Sequence, residues 1–266
     1  MRIRTAITTI GVLASLASAG PEWTEGGQDA GNLPGNAQAA KGSGPLHHIG
    51  GELASSFFVR GLPADFQDMY LIGIDDPENF TATTLVGFGG FAQFDAELFL
   101  FFADGRGLLA SLASQEEGRD PLILPFANDN TKASIPYKGR YLLAISGRPS
   151  SPRSQMGDSP IFNFQSFDEV SGPDGPGAPF PIDAWSGPGE QGQYLIALTG
   201  ATLVPFGCNM ADLAAPFGVL DFSDVVQFLI YFSNGDLIGA DIALPFGVLD
   251  FTDIIFFLDL FATGCP

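Results

Sequence analysis

The chain has 266 residues, with 30 acidic side chains against 11 basic ones and a net charge of −19 at pH 7. That balance excludes a nucleic-acid binder, because phosphates need lysine and arginine partners, and it argues equally against attachment to anionic membranes. The length suits one sizeable domain plus a small one.

Residues 1–19 read as a secretory signal peptide. Arg2 and Arg4 form a positive start, Ala6 to Leu16 is an apolar run, and Ala17-Ser18-Ala19 fits a cleavage site before Gly20. No later stretch reaches about 18 uncharged apolar residues, so no membrane span is expected. The expected location is secreted, extracellular or at the cell surface. The two cysteines, Cys208 and Cys265, read in an exported chain as one disulfide.

Residues 20–51 are rich in Gly, Ala, Asn and Pro. They are expected to lie extended along the domain rather than form its core. From Leu53 onward, short apolar runs alternate with turn clusters: SSFFV, DMYLIGI, FTATTLVGF, FDAELFLFF, ASIPY and RYLLAIS. Each has strand length and strand composition. Asp104-Gly105 marks a hairpin turn inside FDAELFLFFADGRGLLASL. Long helical periodicity is absent here. The expected fold is mainly β, an antiparallel β-sandwich or jelly roll over residues 20–205. GRYLLAISG (139–147) and GQYLIALTG (192–200) echo each other, which predicts Tyr141 and Tyr194 on neighbouring core strands. Residues 148–191 form a Pro/Gly-rich connection longer than compact domains usually carry. Its aromatic residues Phe162, Phe164, Phe167 and Trp185 either bind a sugar or partner or pin the loop to the sandwich, and pinning is the favoured reading.

DMYLIGI, FDAELFLFFADGRGLLASL, the Asn128–Asn130 loop and GRYLLAISG occur in an order that resembles the bacterial pre-peptidase C-terminal domain. The likeness covers residues 53–147, with the strand beginning at Gly192 as a closing element. The resemblance implies a β-sandwich appended to secreted proteins. The long insertion departs from the compact version.

The chain then repeats itself. ADLAAPFGVLDFSD (211–224) returns as ADIALPFGVLDFTD (240–253), an offset of 29, and fourteen of 22 aligned columns are identical. A fixed offset marks a unit that buries its apolar face only by pairing. Phe222, Val225, Val226, Leu229 and Phe232 fall on one helical stripe, as do Phe251, Ile254, Ile255, Leu258 and Phe261, and the two stripes are expected to face each other. Asp221 and Asp250 stand at N-cap positions, with Asp224 and Asp253 three residues on. Asn234-Gly235 and Gly264 stop the helices. A small α domain of two EF-hand-like loop–helix repeats is therefore expected over residues 206–266.

These repeats, with Cys208 and the terminal Gly264-Cys265-Pro266, resemble a dockerin of the type ending in Gly-Cys. The resemblance implies calcium in the loops and a cohesin-like or other extracellular protein partner. The loops depart from the ordinary pattern: Asp212 to Asp224 spans 13 residues, and Ala214, Pro216 and Phe217 carry no side-chain oxygen. A calcium cage would use Asp212, Asp221 and Asp224, and likewise Asp241, Asp250 and Asp253, completed by carbonyls and water. The other reading is a loop without metal, in which Asp221 and Asp250 simply cap helices.

No catalytic motif stands out. His47 and His48 are adjacent in the extended segment, there is no G-x-S-x-G or H-E-x-x-H, and neither cysteine looks nucleophilic. Asn79-Phe80-Thr81 is a sequon by pattern only. The expectation is a non-catalytic module for binding or structure, polysaccharide being one possible ligand, tethered through the dockerin-like unit. The alternative is a small polysaccharide-active hydrolase delivered by that unit. Two carboxylates converging in a cleft of the sandwich are the feature that separates them.

Overall fold

The computed structural model describes residues 22–25, 29–53, 65–112 and 120–265. The expected signal peptide and the expected SSFFV strand lie outside them. The architecture is mainly β, with two face-to-face sheets and a small helical unit at the C-terminal end.

One sheet runs, in spatial order, through Trp23–Thr24, His48–Leu53, Gly192–Thr199, Thr81–Thr83 and Leu122–Ile123, and Phe91–Ala92 also pairs with Gly192–Thr199. The other runs through Val170–Ser171, Gly107–Leu112, Ala96–Phe102, Gly139–Gly147, Gln67–Ile74 and Ala201–Thr202. The long pairings are antiparallel; Trp23–Thr24 and Gln38–Ala39 add short parallel ones.

Residue parity explains the apolar runs. Tyr70, Ile72 and Ile74, Leu98 and Leu100, and Tyr141, Leu143 and Ile145 point between the sheets, against Ile49, Tyr194, Ile196 and Leu198. Their alternates Met69, Phe99, Phe101, Leu142 and Ala144 point outward, and a second apolar layer covers them. A strand buried on both faces reads as a continuous run rather than an alternation. That is why AELFLFF and GRYLLAISG are apolar almost throughout.

The outer cover is the 148–191 excursion. It forms a small sheet from Ser159–Pro160, Pro152–Ser154 and Ala184–Trp185. Phe162 packs on Phe99 and Phe101 at ring separations of 5.9 and 6.2 Å, and Trp185 packs edge-on to Phe99 at 5.6 Å. Phe164 rests against this cluster, and Phe167 stays exposed with the Arg148 guanidinium over its ring at 4.7 Å. The excursion is thus a lid on the core.

Several details correct the sequence reading. Tyr141 and Tyr194 are not on neighbouring strands: each lies on a central strand of a different sheet, because the echoed segments build the two halves of one interface. Residues 29–46 do contribute core, since Ala30, Ala40 and Leu46 are fully buried. ASIPY supplies only an isolated bridge between Ser134 and Phe126.

Glu97 sits under the start of the excursion, 2% exposed, with Ser151 Oγ 3.5 Å from its carboxylate. Burial pushes its carboxyl up to about 7, against the pull of Arg148 and Ser151. A carboxyl raised on folding adds stability below its unfolded pKa of about 4.3 and loses that contribution as pH rises through its folded value. The variant Glu97→Gln is therefore expected to remove about 2–3 kcal/mol of the stability lost between pH 5 and pH 8. Urea midpoints of the two proteins across that range check it.

Candidate docking site

The C-terminal unit contains helix α1 (Phe222–Asn234), a short α2 (Leu237–Ala240) and α3 (Phe251–Thr263). Both long helices begin as the residue types predict. Asp221 accepts from the Ser223 amide at 2.6 Å and Asp250 from the Thr252 amide at 2.7 Å. Asp224 and Asp253 complete reciprocal capping boxes by accepting from the Asp221 and Asp250 amides. Gly235 ends α1 in the left-handed region.

The carboxylate–amide bonds at the helix starts recur in both loops. Asp224 Oδ1 accepts from the Leu213 and Ala214 amides at 2.7 and 2.8 Å; Asp253 Oδ1 accepts from the Ile242 and Ala243 amides, both at 2.9 Å. Each of these buried carboxylates therefore staples the start of its loop to the start of its helix. Asp212 Oδ2 accepts from the Cys208 and Gly218 amides, and Asp241 Oδ2 from the Gly247 amide. Gly218 and Gly247 make the turn at φ +92° and +91°, where a side chain is strained.

The six sequence-predicted aspartates are all placed in these loops, in three roles. Asp221 and Asp250 cap helices, Asp224 and Asp253 bind amides through both oxygens, and Asp212 and Asp241 each keep one buried oxygen, Oδ1, without a hydrogen-bond partner among the described residues. Among the described residues, neither loop's three aspartates form a group of ligand atoms lying within 4.8 Å of one another. A cation at either loop meets one unpartnered buried carboxylate oxygen, Asp212 Oδ1 or Asp241 Oδ1, while Asp224 and Asp253 are committed to amides through both oxygens.

The helices meet through Phe228 and Phe257, whose rings stack at 4.2 Å and 15°. Val225, Phe232, Ile254 and Phe261 pack around them. The seam is rotated from the predicted stripes. Phe222, Val226 and Leu229 face outward, as do Phe251, Ile255 and Leu258. Phe222 is 77% and Phe251 69% exposed. With Phe217, Val219, Leu244 and Val248 from the loops, they form an exposed apolar surface that appears once on each repeat. Cys208 and Cys265 are bonded, closing the ends of the unit.

The unit is seated on the sandwich by Arg140. From the strand Gly139–Gly147 its guanidinium donates to the Ile238 and Gly239 carbonyls at 2.6 and 3.2 Å and lies 5.5 Å from the Phe206 ring centre. Burial pulls this group down to about 10, while Asp241, Asp236 and Asp253 push it back, so it carries charge at neutral pH. The junction leaves two cavities of about 660 and 580 Å³ that share Lys41 and Phe206, and no carboxylate lines either. A smaller cleft of about 210 Å³ on the sandwich holds Asp120 and Asp168.

A second acidic centre escaped the sequence reading. Ligand oxygens of Glu25, Asp29 and Asp68 lie within 4.8 Å of one another, and Asp29 is within hydrogen-bonding reach of Asp65. Burial, then neighbouring carboxylates, push Asp65 up to about 7 and Asp68 well above the carboxylate range. The only sequence trace is the Asp65–Asp68 pair at the start of a strand; Glu25 and Asp29 reach it through tertiary structure alone. His47 and His48 instead sit on Glu22, which accepts from both their amides.

No family model matches this chain, and no curated protein or solved structure is found to be similar to it.

Proposed function

We propose that this protein is a secreted, non-catalytic modular protein whose β-sandwich is tethered to an extracellular protein through its C-terminal loop–helix pair. The observation that carries this reading is the apolar surface exposed on both repeats. Solvent-facing Phe222, Val226, Leu229, Phe251, Ile255 and Leu258 add nothing to the unit's own core, and contiguous apolar surface of this kind marks protein contacts. Residues 206–266 hold eight aspartates and no basic side chain. The partner chemistry that fits is an apolar groove rimmed by lysine and arginine, as a cohesin-like receptor for a dockerin-like unit would offer.

Calcium enters this reading as a weak ligand of the loops. With one unpartnered buried carboxylate oxygen per loop, affinity is expected in the ~10⁻⁴ to 10⁻³ M range of extracellular modules. The amide–carboxylate staples take the larger part in shaping the loops.

The hydrolase reading rests on the cleft holding Asp120 and Asp168. At about 210 Å³ it is smaller than the roughly 300–1,000 Å³ of ordinary ligand sites. Release of reducing ends from polysaccharide by the purified chain would favour that reading.

The test uses the whole mature chain as bait in the culture medium of the producing cells. The captured partner is expected to lose at least a hundredfold in affinity for Phe222→Asp/Phe251→Asp. Unchanged affinity would remove this surface from the interface.

A further inference from the structure

We propose that Glu25, Asp29 and Asp68, flanked by Asp65, form a calcium site that straps the N-terminal segment to the sandwich. It stands apart from the docking unit and does not depend on the function proposed above.

The geometry is that of a cation cage. Calcium holds oxygens at about 2.3–2.6 Å, so ligands on opposite sides of one ion lie about 5 Å apart. The oxygens of Glu25, Asp29 and Asp68 all fall within 4.8 Å of one another, so a single ion reaches them all. Asp65 flanks this group beside Asp29.

Asp68 supplies the independent sign of a missing ligand. It is fully buried on the strand Gln67–Ile74. Its Oδ2 accepts from the Tyr194 hydroxyl, which in turn meets the Tyr70 hydroxyl. Among the described residues, Oδ1 is buried with no hydrogen-bond partner, and so is Asp65 Oδ2. A buried acceptor left unmade costs free energy that a solvated one does not. Among the described residues, no lysine, arginine or histidine forms an ion pair with any of the four carboxylates. The tyrosine pair fixes how Asp68 points, and Gly51 makes room for it: a Cβ there would lie 2.3 Å from the Tyr194 hydroxyl and 2.9 Å from that of Tyr70.

The donors are all oxygen, with neither histidine nor cysteine in the group. That set suits a hard cation, and calcium tolerates irregular cages completed by carbonyls and water. The strap is already aligned. Met69 donates to the Gly31 carbonyl at 2.8 Å, and Asn32 Nδ2 donates to Gln67 at 3.1 Å. Glu25 Oε1 accepts from the Ala30 amide, which ties Glu25 to the start of the segment that pairs with this strand. Calcium would cross-link this segment to the strand it lies on.

Chelator-treated full-length mature protein, titrated with calcium chloride by calorimetry and melted with and without calcium, tests the site. Three further proteins are compared with the wild type: Glu25→Gln/Asp29→Asn, Asp29→Asn alone, and Asp212→Asn/Asp241→Asn. Wild type and the Asp212/Asp241 variant are expected to bind one calcium in the micromolar range and to melt several degrees higher with it. The Glu25/Asp29 variant is expected to lose at least tenfold in affinity and most of that shift. Asp29→Asn keeps every amide contact of Glu25 and is expected to weaken binding in the same direction should the double variant fail to fold. Absence of micromolar binding in the wild type overturns the proposal. So does full affinity in both strap variants, or loss of the micromolar site in the Asp212/Asp241 variant alone.

Discussion

Replacing Arg140 with Met is expected to cost about 3 kcal/mol and to separate the unfolding of the two parts of the molecule. The guanidinium is the buried donor to the Ile238 and Gly239 carbonyls and the positive charge facing Asp236, Asp241 and Asp253. Methionine keeps much of the apolar stem but leaves two carbonyls unpaired and several acids uncompensated, and removing one member of a buried polar set costs roughly 3–5 kcal/mol. The contact joins a central sandwich strand to α2, between α1 and α3, so it couples the two cores directly. Wild type is expected to unfold in urea as one transition by both near-ultraviolet and far-ultraviolet signals. Arg140→Met is expected to show the helical signal lost first. Arg140→Lys should recover little, because an ammonium lacks the planar fork that reaches two carbonyls. A single unshifted transition for Arg140→Met would show that the helical unit is held to the sandwich by apolar packing alone.

Replacing Cys265 with Ser is expected to cost about 4 kcal/mol, which for this unit is most of its stability. The bond closes a loop of 57 residues in sequence, and constraining an unfolded loop of that length accounts for roughly 4 kcal/mol on the chain-entropy model. A 60-residue unit obtains little more than this from its own burial. Its interior is correspondingly thin, resting on Phe228, Phe257 and the residues around them. Thermal melting under oxidising conditions is expected to show the helical signal of Cys265→Ser lost well below that of wild type. The sheet signal should move far less, because the two faces of the Gly139–Gly147 strand are covered mainly by the other sheet and by the 148–191 excursion. Equal melting of both proteins would mean that the loops' amide–carboxylate staples hold the unit unaided.

What the sequence made legible was local. Caps are short-range chemistry, so Asp221, Asp224, Asp250 and Asp253 announce the helix starts, and the glycines after them announce the ends. The strands GRYLLAISG and AELFLFF were legible as strands for the same reason. Their partners were not, because a strand buried on both faces carries no alternation to tell which face meets which layer. The phase of α3 was hidden in the same way: FTDIIFFLDLF is apolar nearly all round, and only the stacking of Phe228 on Phe257 fixes which side is the seam. Arg140 was visible as the one charged residue in an apolar strand, but its acceptors lie about 100 residues away. The acidic centre at Asp68 is assembled from two separated segments, and no spacing rule reaches across such a gap.

The account's central claim is that the outward faces of α1 and α3 are where a partner binds. The most direct measurement places a photo-reactive phenylalanine analogue at 222, at 251, or at 126, where Phe126 is an exposed aromatic on the sandwich. Each labelled mature chain is irradiated in the culture medium of the producing cells, and the cross-linked products are identified by mass spectrometry. The account predicts that positions 222 and 251 capture the same protein and that position 126 does not. Capture of that protein from position 126 alone, or no capture from 222 and 251 while the protein still co-purifies with the chain, would contradict it.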